Sequence, residues 1–397
     1  MNREDFLMLK KGIIYFDNSA TSLKPVILST ATSEYYNLYT ANAHRGDYDN
    51  SLIVDTKYEE TRELVKNFIS AKSSKEIVFT SGTTDSINKV VFGYFKKILT
   101  KGDEILITKA EHASNVLPWF ELAEDLGLVI KYIDLDKSHK INIDNLNKAI
   151  TNKTKVISIA HVTNVIGDTR NIKEIISIAH SKNILTLIDG AQSVPHIKID
   201  VQELDIDFLT FSAHKMCGPT GVGVLYGKEE LLSQMKPIIY GGGMNNFFES
   251  NMERQYHDIP HIFEAGTQNI AGVIGFGAVL KYLSKIGIDN IHKHELELKK
   301  YALKRLKEVK DIIIYNEESE NGIITFNIKD IFSQDLAIYL NKYKICVRAG
   351  NHCAKILKDE LLVKNTCRIS FYFYNTFEEI DKLIEVLNNP NLRKEII

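Results

Sequence analysis

Four cysteines among 397 residues, none in C-x-x-C spacing, leave no framework for disulfides, a zinc ribbon or a thioredoxin-like redox pair. Seven prolines and 22 glycines are too few for a collagen-like or linker-rich chain. No apolar run approaches the roughly 18 residues that a membrane span needs. The first residues lack the order of a signal peptide, because Glu4 and Asp5 come early and Lys10-Lys11 interrupt the run from Phe6 to Leu9. An excess of one charge is missing too: 49 Lys plus Arg against 51 Asp plus Glu leave a net charge of −2. Without a basic field, nucleic acid is not an expected partner, and neither is a membrane. The chain reads as cytoplasmic.

What is present is the material of a large folded protein. With 44% hydrophobic residues the chain can offset the entropy of ordering, and its length suits one large domain with a smaller companion. A pattern recurs of a short β-branched run, a small polar loop and an amphipathic stretch. Glu76–Thr80 leads into Ser81-Gly-Thr-Thr84 and a helical pattern over Ile87–Leu99. Glu104–Thr108 precedes a helix near Pro118, Lys155–Ala160 precedes one over Ile172–His180, and Ile184–Ile188 runs into Asp189. Short apolar strands alternating with helices predict a mainly parallel central sheet flanked by helices. Residues 237–269 show little periodicity and read as loops. Ile270–Ile286 reads as an apolar helix, and an α+β domain follows. The expected division is a large domain over 13–284 and a small one over 285–397 that also takes in residues 1–12.

The loops after these strands hold the candidate chemistry. Ser81–Thr84 opens a helix whose unpaired N–H groups favour an anion such as phosphate, although taken alone the segment reads first as a plain helix cap. Asp189 ends an apolar strand, where a carboxylate needs a cation, either a cofactor pyridinium or a salt-bridge partner. Lys215 directly follows another strand; in a low-dielectric setting it would form a Schiff base, and on the surface it would be a solvated lysine. Arg348 and Arg368 flank Cys353 and suit either a substrate carboxylate or structural ion pairs. Cys353 sits in a cationic loop, whereas Cys217, Cys346 and Cys367 adjoin apolar runs and read as packing residues. Together these are a phosphate cradle, an acid for a ring nitrogen, a Schiff-base lysine, a carboxylate clamp and a nucleophile.

At these residues the sequence resembles the class V aminotransferase family of fold type I, and within it the SUF-type (group II) cysteine desulfurases and selenocysteine lyases. The resemblance runs from Tyr15-Phe-Asp-Asn-Ser-Ala-Thr21 to Tyr374-Asn-Thr376. It passes through Ala43-His-Arg-Gly46, Glu111-His112, His161-Val-Thr-Asn164, Asp189-Gly-Ala-Gln192, Ser212-Ala-His-Lys215, Phe263-Glu-Ala-Gly-Thr267 and Arg348-Ala-Gly-Asn-His-Cys353. It implies a pyridoxal 5'-phosphate enzyme, with Lys215 as the Schiff-base lysine, Asp189 on the pyridinium nitrogen, Gln192 on the phenolic oxygen and His112 over the ring. Thr83, Thr84, Ser212 and His214 would hold the phosphate, with Thr267 reaching the phosphate of the other subunit in a homodimer. Asn164 and Arg368 would bind the substrate carboxylate, Arg348, His44 and Arg45 would line the substrate side, and Cys353 would accept the sulfur.

The activity so implied converts L-cysteine to L-alanine, leaves a persulfide on the enzyme and supplies sulfur for iron–sulfur cluster assembly through a protein acceptor. Only 14 residues separate Cys353 from Arg368, a short tether for the thiol. Two departures from the resemblance stand out: Asn351 precedes His352 where relatives often carry two histidines, and Gln334 occupies a position where a histidine marks partners that swap a zinc ligand. Glutamine is a poor zinc ligand, so a different acceptor is expected. Selenocysteine lyase activity, an epimerase or kynureninase reaction and a non-catalytic scaffold are the alternatives.

Overall fold

Burial is nearly complete along six strands of one seven-stranded sheet, and only the edge strand Val129–Ile133 is partly uncovered. The spatial order of the sheet is Ile77–Thr80, Gly223–Gly227, Phe208–Ser212, Leu185–Asp189, Thr154–Ala160, Glu104–Thr108 and Val129–Ile133. Neighbours run parallel except Gly223–Gly227, which is antiparallel to both of its partners. The mainly parallel sheet flanked by helices that the sequence predicts is therefore present. Such a sheet is covered on both faces, which is why its strands read as continuous Val/Ile/Leu runs. This computed structural model describes residues 3–396. Met1, Asn2 and Ile397, which the expected domain bounds take in, lie outside the described residues.

Helices Val26–Leu38 and Asp49–Phe68 pack against the apolar helix Ile270–Ile286. That helix carries Gly277 where a Cβ would stand 2.4 Å from Thr61 Oγ1, so the close approach requires glycine. No single described helix is long and apolar enough to cross a membrane.

A second sheet of four antiparallel strands follows, in the order Ile312–Ile314, Ile323–Ile328, Thr366–Ser370 and Arg348–Gly350. Helices Ile288–Leu306, Ser333–Lys342 and Phe377–Leu387 accompany it, and Leu298, Phe326, Leu340, Ile369 and Leu383 share its core. Ile14–Tyr15 pairs with Ile345–Cys346, and Phe16 joins this second core although it falls on the large side of the expected boundary. Conversely, Tyr372, Phe373 and Tyr374 pack into the first core with Phe6. The chain crosses between the two sheets more than once.

Two local expectations need correction. Residues 237–269 contain a short antiparallel pair, Asn245–Phe248 with Arg254–Tyr256, whose mostly exposed residues give no alternating pattern to detect. The helix expected over Ile87–Leu99 starts earlier, at Thr83, and passes through a wider π turn at Val91–Phe95.

Candidate active site

The parallel strands deliver side chains to one edge of the sheet, at their carboxyl ends, where an open α/β sheet leaves its ligand crevice. Thr83 follows Ile77–Thr80, His112 follows Glu104–Thr108, Asn164 follows Thr154–Ala160, and Asp189 closes Leu185–Asp189. Ser212, His214 and Lys215 end or follow Phe208–Ser212. The second sheet supplies Arg368 and Arg348. These residues, with Thr84 and Gln192, line one cavity of about 220 Å³. The loop Asp17–Ser22 joins the two sheets there: Ser19 N donates to Ser370 Oγ (2.8 Å) and Ser22 Oγ to the His214 carbonyl (3.1 Å).

At one end lies the start of helix Thr83–Val90. Thr83 N donates to Ser212 Oγ at 2.8 Å, and the Thr83 and Ser212 hydroxyls are 2.7 Å apart. The Thr84 hydroxyl meets Ser114 Oγ at 2.7 Å. Backbone Gly82 crosses Gly223 so closely that a Cβ on Gly223 would stand 2.4 Å from Gly82 Cα, which fixes glycine at that strand start. Hydroxyls gathered at a helix N-terminus suit a phosphate group.

Asp189 is buried and accepts the Ala191 N–H at 2.9 Å. Burial raises its pKa, and the positive Lys215 and the Ala191 N–H only partly offset this. The carboxylate thus gains most from a cation placed beside it. Lys215 is itself pushed down to about 8, first by burial and then by Arg368 and Arg348, against the pull of Asp189. A lysine so placed has a neutral amine available near neutral pH. His112 is lowered to about 4 by burial and by Lys215, Arg348 and Arg368. Its Nδ1 accepts the Ser114 N–H at 3.1 Å, which assigns the remaining proton to Nε2 and leaves a neutral, flat ring.

Arg368 is 2% exposed; its NH1 donates to the Asn164 carbonyl at 2.6 Å and its NH2 lies 3.5 Å from Asp17 Oδ1. Five polar atoms on residues of this cavity are buried without a partner: Ser19 Oγ, Asn164 Oδ1, Gln192 Oε1, His352 Nδ1 and Arg368 Nε. Leaving such groups unpaired costs about 1–3 kcal/mol each, so they mark where a polar ligand is expected. The phosphate cradle, the needy carboxylate, the softened lysine and these orphaned atoms fit the pyridoxal phosphate that the resemblance implies.

Cys353 does not line the cavity but stands next to His352, which does. It is exposed, while Cys217 and Cys367 are buried and pushed up to about 12, and burial also raises Cys346. Its carbonyl accepts the Ala113 N–H at 2.8 Å, tying the cysteine loop to the residue after His112, and Asn164 Nδ2 donates to the His352 carbonyl at 2.7 Å. His352 and Cys353 both carry positive φ, 52° and 56°, an uncommon pair for residues with side chains.

His44, Arg45 and Thr267 are not brought to this cavity. His44 and Arg45 line a separate cavity of about 530 Å³ with Tyr58, His261 and Glu264. Thr267 lines a third with Ser81 and Lys89, and its hydroxyl meets Asn42 Nδ2 at 3.3 Å. Sequence reasoning also missed what holds the site up. Arg170 and Glu111 form a buried pair at 2.6 Å just behind His112, and Glu111 also accepts the Ala160 N–H at 2.7 Å. Charged residues 59 positions apart leave no local pattern that announces such a pair.

The aminotransferase class-V family model matches residues 14–383. A "Probable cysteine desulfurase" of Halalkalibacterium halodurans is 46% identical over 94% of this chain and 92% of its own length. One from Staphylococcus aureus is 43% identical over 95% and 92%. Among solved structures, the cysteine desulfurase CsdA of Escherichia coli, as its S-sulfonic acid, superposes with a TM-score of 0.92 at 35% identity, covering 97% of this chain and 96% of that one. The apo cysteine desulfurase of Thermococcus onnurineus NA1 gives 0.93 at 37% identity over the same shares.

Proposed function

Because this chain belongs to the class V aminotransferase family, we propose that its cavity performs cysteine desulfuration: L-cysteine becomes L-alanine and the sulfur passes to Cys353. The observation that carries this reading is the convergence on one cavity of Asp189, Lys215, His112 and Arg368, with an exposed cysteine tied by its carbonyl to the residue beside His112. The cofactor is pyridoxal phosphate, which supplies an electron sink for the pair left when the substrate's Cα proton is removed.

The chain's own residues do the rest. Thr83, Thr84, Ser212 and His214 would hold the phosphate, Asp189 would keep the ring nitrogen protonated, Gln192 would bond the phenolic oxygen and His112 would stack on the ring. Arg368 and Asn164 grip the substrate carboxylate, with Arg348 beside them. Lys215 Nζ carries the Cα proton. The Cys353 thiolate attacks the substrate sulfur; the Cβ–S bond breaks, the new S–S bond forms, and alanine leaves. One substrate and one thiol give one alanine and one persulfide, so the step needs no outside oxidant.

The reading extends to a cytoplasmic homodimer whose second copy brings His44, Arg45 and Thr267 to the cavity. Residues 13–284 act as the cofactor-binding domain and the following residues carry the cysteine loop. The exposed Cys353 on its short loop delivers sulfur to a protein acceptor for iron–sulfur assembly, an acceptor that does not exchange a zinc ligand at Gln334. Purified protein loaded with pyridoxal phosphate should release alanine from L-cysteine in the presence of a thiol. Lys215→Ala should abolish this, whereas alanine formation unaffected by that change would contradict the reading.

A further inference from the structure

The loop after Asn164 is held by side chains of the second sheet and of the turn that leads into its strand Ile323–Ile328. Thr325 Oγ1 donates to the Val165 carbonyl at 2.5 Å, Asn316 Nδ2 to the Ile166 carbonyl at 2.7 Å, and Asn321 Nδ2 to the Gly167 carbonyl. Three consecutive carbonyls thus each take a donor from residues 316–325. Thr325, Asn316 and Asn321 are all buried. Hydrogen bonds in such a place are costly to lose, because the carbonyl left behind has no water to turn to.

Register places one of these residues beside the substrate clamp. Thr325 stands directly opposite Arg368 in the antiparallel pair Ile323–Ile328 and Thr366–Ser370. Residues so paired project from the same face of a sheet. Here they reach adjacent carbonyls: Thr325 holds that of Val165, while Arg368 NH1 donates to that of Asn164 at 2.6 Å. The turn that carries the two asparagines is itself fixed. Asn316 Oδ1 accepts the Thr325 N–H at 2.9 Å, and the buried Lys299 of helix Ile288–Leu306 donates to the Ser319 carbonyl at 2.5 Å.

We propose that Thr325, backed by Asn316 and Asn321, is a positioning residue for the substrate carboxylate. The inference rests on the reading of Asn164 and Arg368 as the carboxylate clamp. Asn164 follows a strand of the first sheet and Arg368 stands on the second, so a carboxylate gripped by both needs the two sheets held in one relation. The Thr325 hydroxyl sets that relation one residue from Asn164, without touching the substrate. Binding geometry of this kind is lost when a loop shifts by about 1 Å. Lys215 follows a different strand, so transfer of the Cα proton should continue once substrate is bound. Loosening the grip therefore acts on affinity for the amino acid rather than on the chemical step.

The test compares Thr325→Val, which keeps the shape and removes the hydroxyl, with Thr325→Ser, which restores it. Asn321→Ala is a second break, so the result does not hang on one variant. Each holoenzyme is titrated with L-alanine and read by the cofactor's absorbance; this ligand needs the carboxylate clamp but carries no sulfur. Its dissociation constant should rise about tenfold in Thr325→Val and Asn321→Ala and stay within about twofold of wild type in Thr325→Ser. With L-cysteine, KM should rise in the same proportion while kcat holds within about twofold. In ligand-free protein, amide hydrogen exchange over residues 163–168 should quicken in Thr325→Val but not in Thr325→Ser, which reads the loop without the cofactor. Unchanged L-alanine affinity in Thr325→Val and Asn321→Ala, where Arg368→Ala weakens it, would overturn this inference alone. Unchanged affinity in Arg368→Ala as well would overturn the clamp reading beneath it. A fall in kcat with KM unmoved would also contradict the positioning role.

Discussion

Arg348 and Arg368 stand directly opposite each other in the antiparallel pair Arg348–Gly350 and Thr366–Ser370, and both line the cavity that holds Lys215. Like charges in that position repel. Burial and Arg348 together lower the Arg368 guanidinium to about 10 against the pull of Asp17. An anion between the two relieves the conflict, and the carboxylate of an amino acid is such an anion.

Arg368→Ala should therefore act mainly on substrate binding. Charged hydrogen bonds are worth about 1.5–3 kcal/mol, so kcat/KM should fall roughly 10–150-fold, chiefly through KM. Arg348→Ala should raise KM less, and its ligand-free protein should melt no lower than wild type because a repulsion has gone. Steady-state kinetics and thermal melts check both.

Lys215 titrates near 8, below the ordinary lysine range. The rate at which ligand-free protein captures pyridoxal phosphate should rise about tenfold per pH unit below 8 and level off above it, as the neutral amine becomes the major form. Stopped-flow absorbance across pH 6 to 10 measures this; a flat profile would contradict the assignment.

The strands were legible because a sheet buried on both faces writes itself as apolar runs, and the residues just beyond each run were the site. Asp189 and Lys215 were found this way, whereas His112 came only with the family resemblance. Arg170 was not, since a buried charge is specified by its distant partner Glu111 rather than by neighbours in sequence. The short pair Asn245–Phe248 and Arg254–Tyr256 was missed because exposed strands have no burial to alternate. The motifs around His44, Arg45 and Thr267 were recognisable, but a linear order of motifs does not say which copy of a chain fills which cavity.

Breaking the Arg170–Glu111 pair should cost stability more than any surface change. Removing one partner leaves the other charge buried, at about 3–5 kcal/mol. Arg170→Ala should lower the unfolding midpoint in urea, while Arg170→Met combined with Glu111→Gln should recover much of the loss.

His161 is buried and held at about 4, against 6.5 when free, by burial and by Arg170. Its folded pKa lies below the unfolded one, so the unfolded chain takes up the proton first as acid is added. The stability it contributes is complete above pH 6.5 and is lost as pH falls through about 4. Thermal melts of ligand-free protein should fall across that window, and less steeply in His161→Gln.

In the proposed reaction, sulfur from L-cysteine lands on Cys353. Holoenzyme treated with L-cysteine without reductant, then analysed by intact mass and peptide mapping, tests it most directly. One added sulfur atom per chain, removable by a thiol and mapped to Cys353, is the predicted result. No added sulfur on cofactor-loaded protein, or sulfur on Cys217, Cys346 or Cys367 instead, would contradict the account.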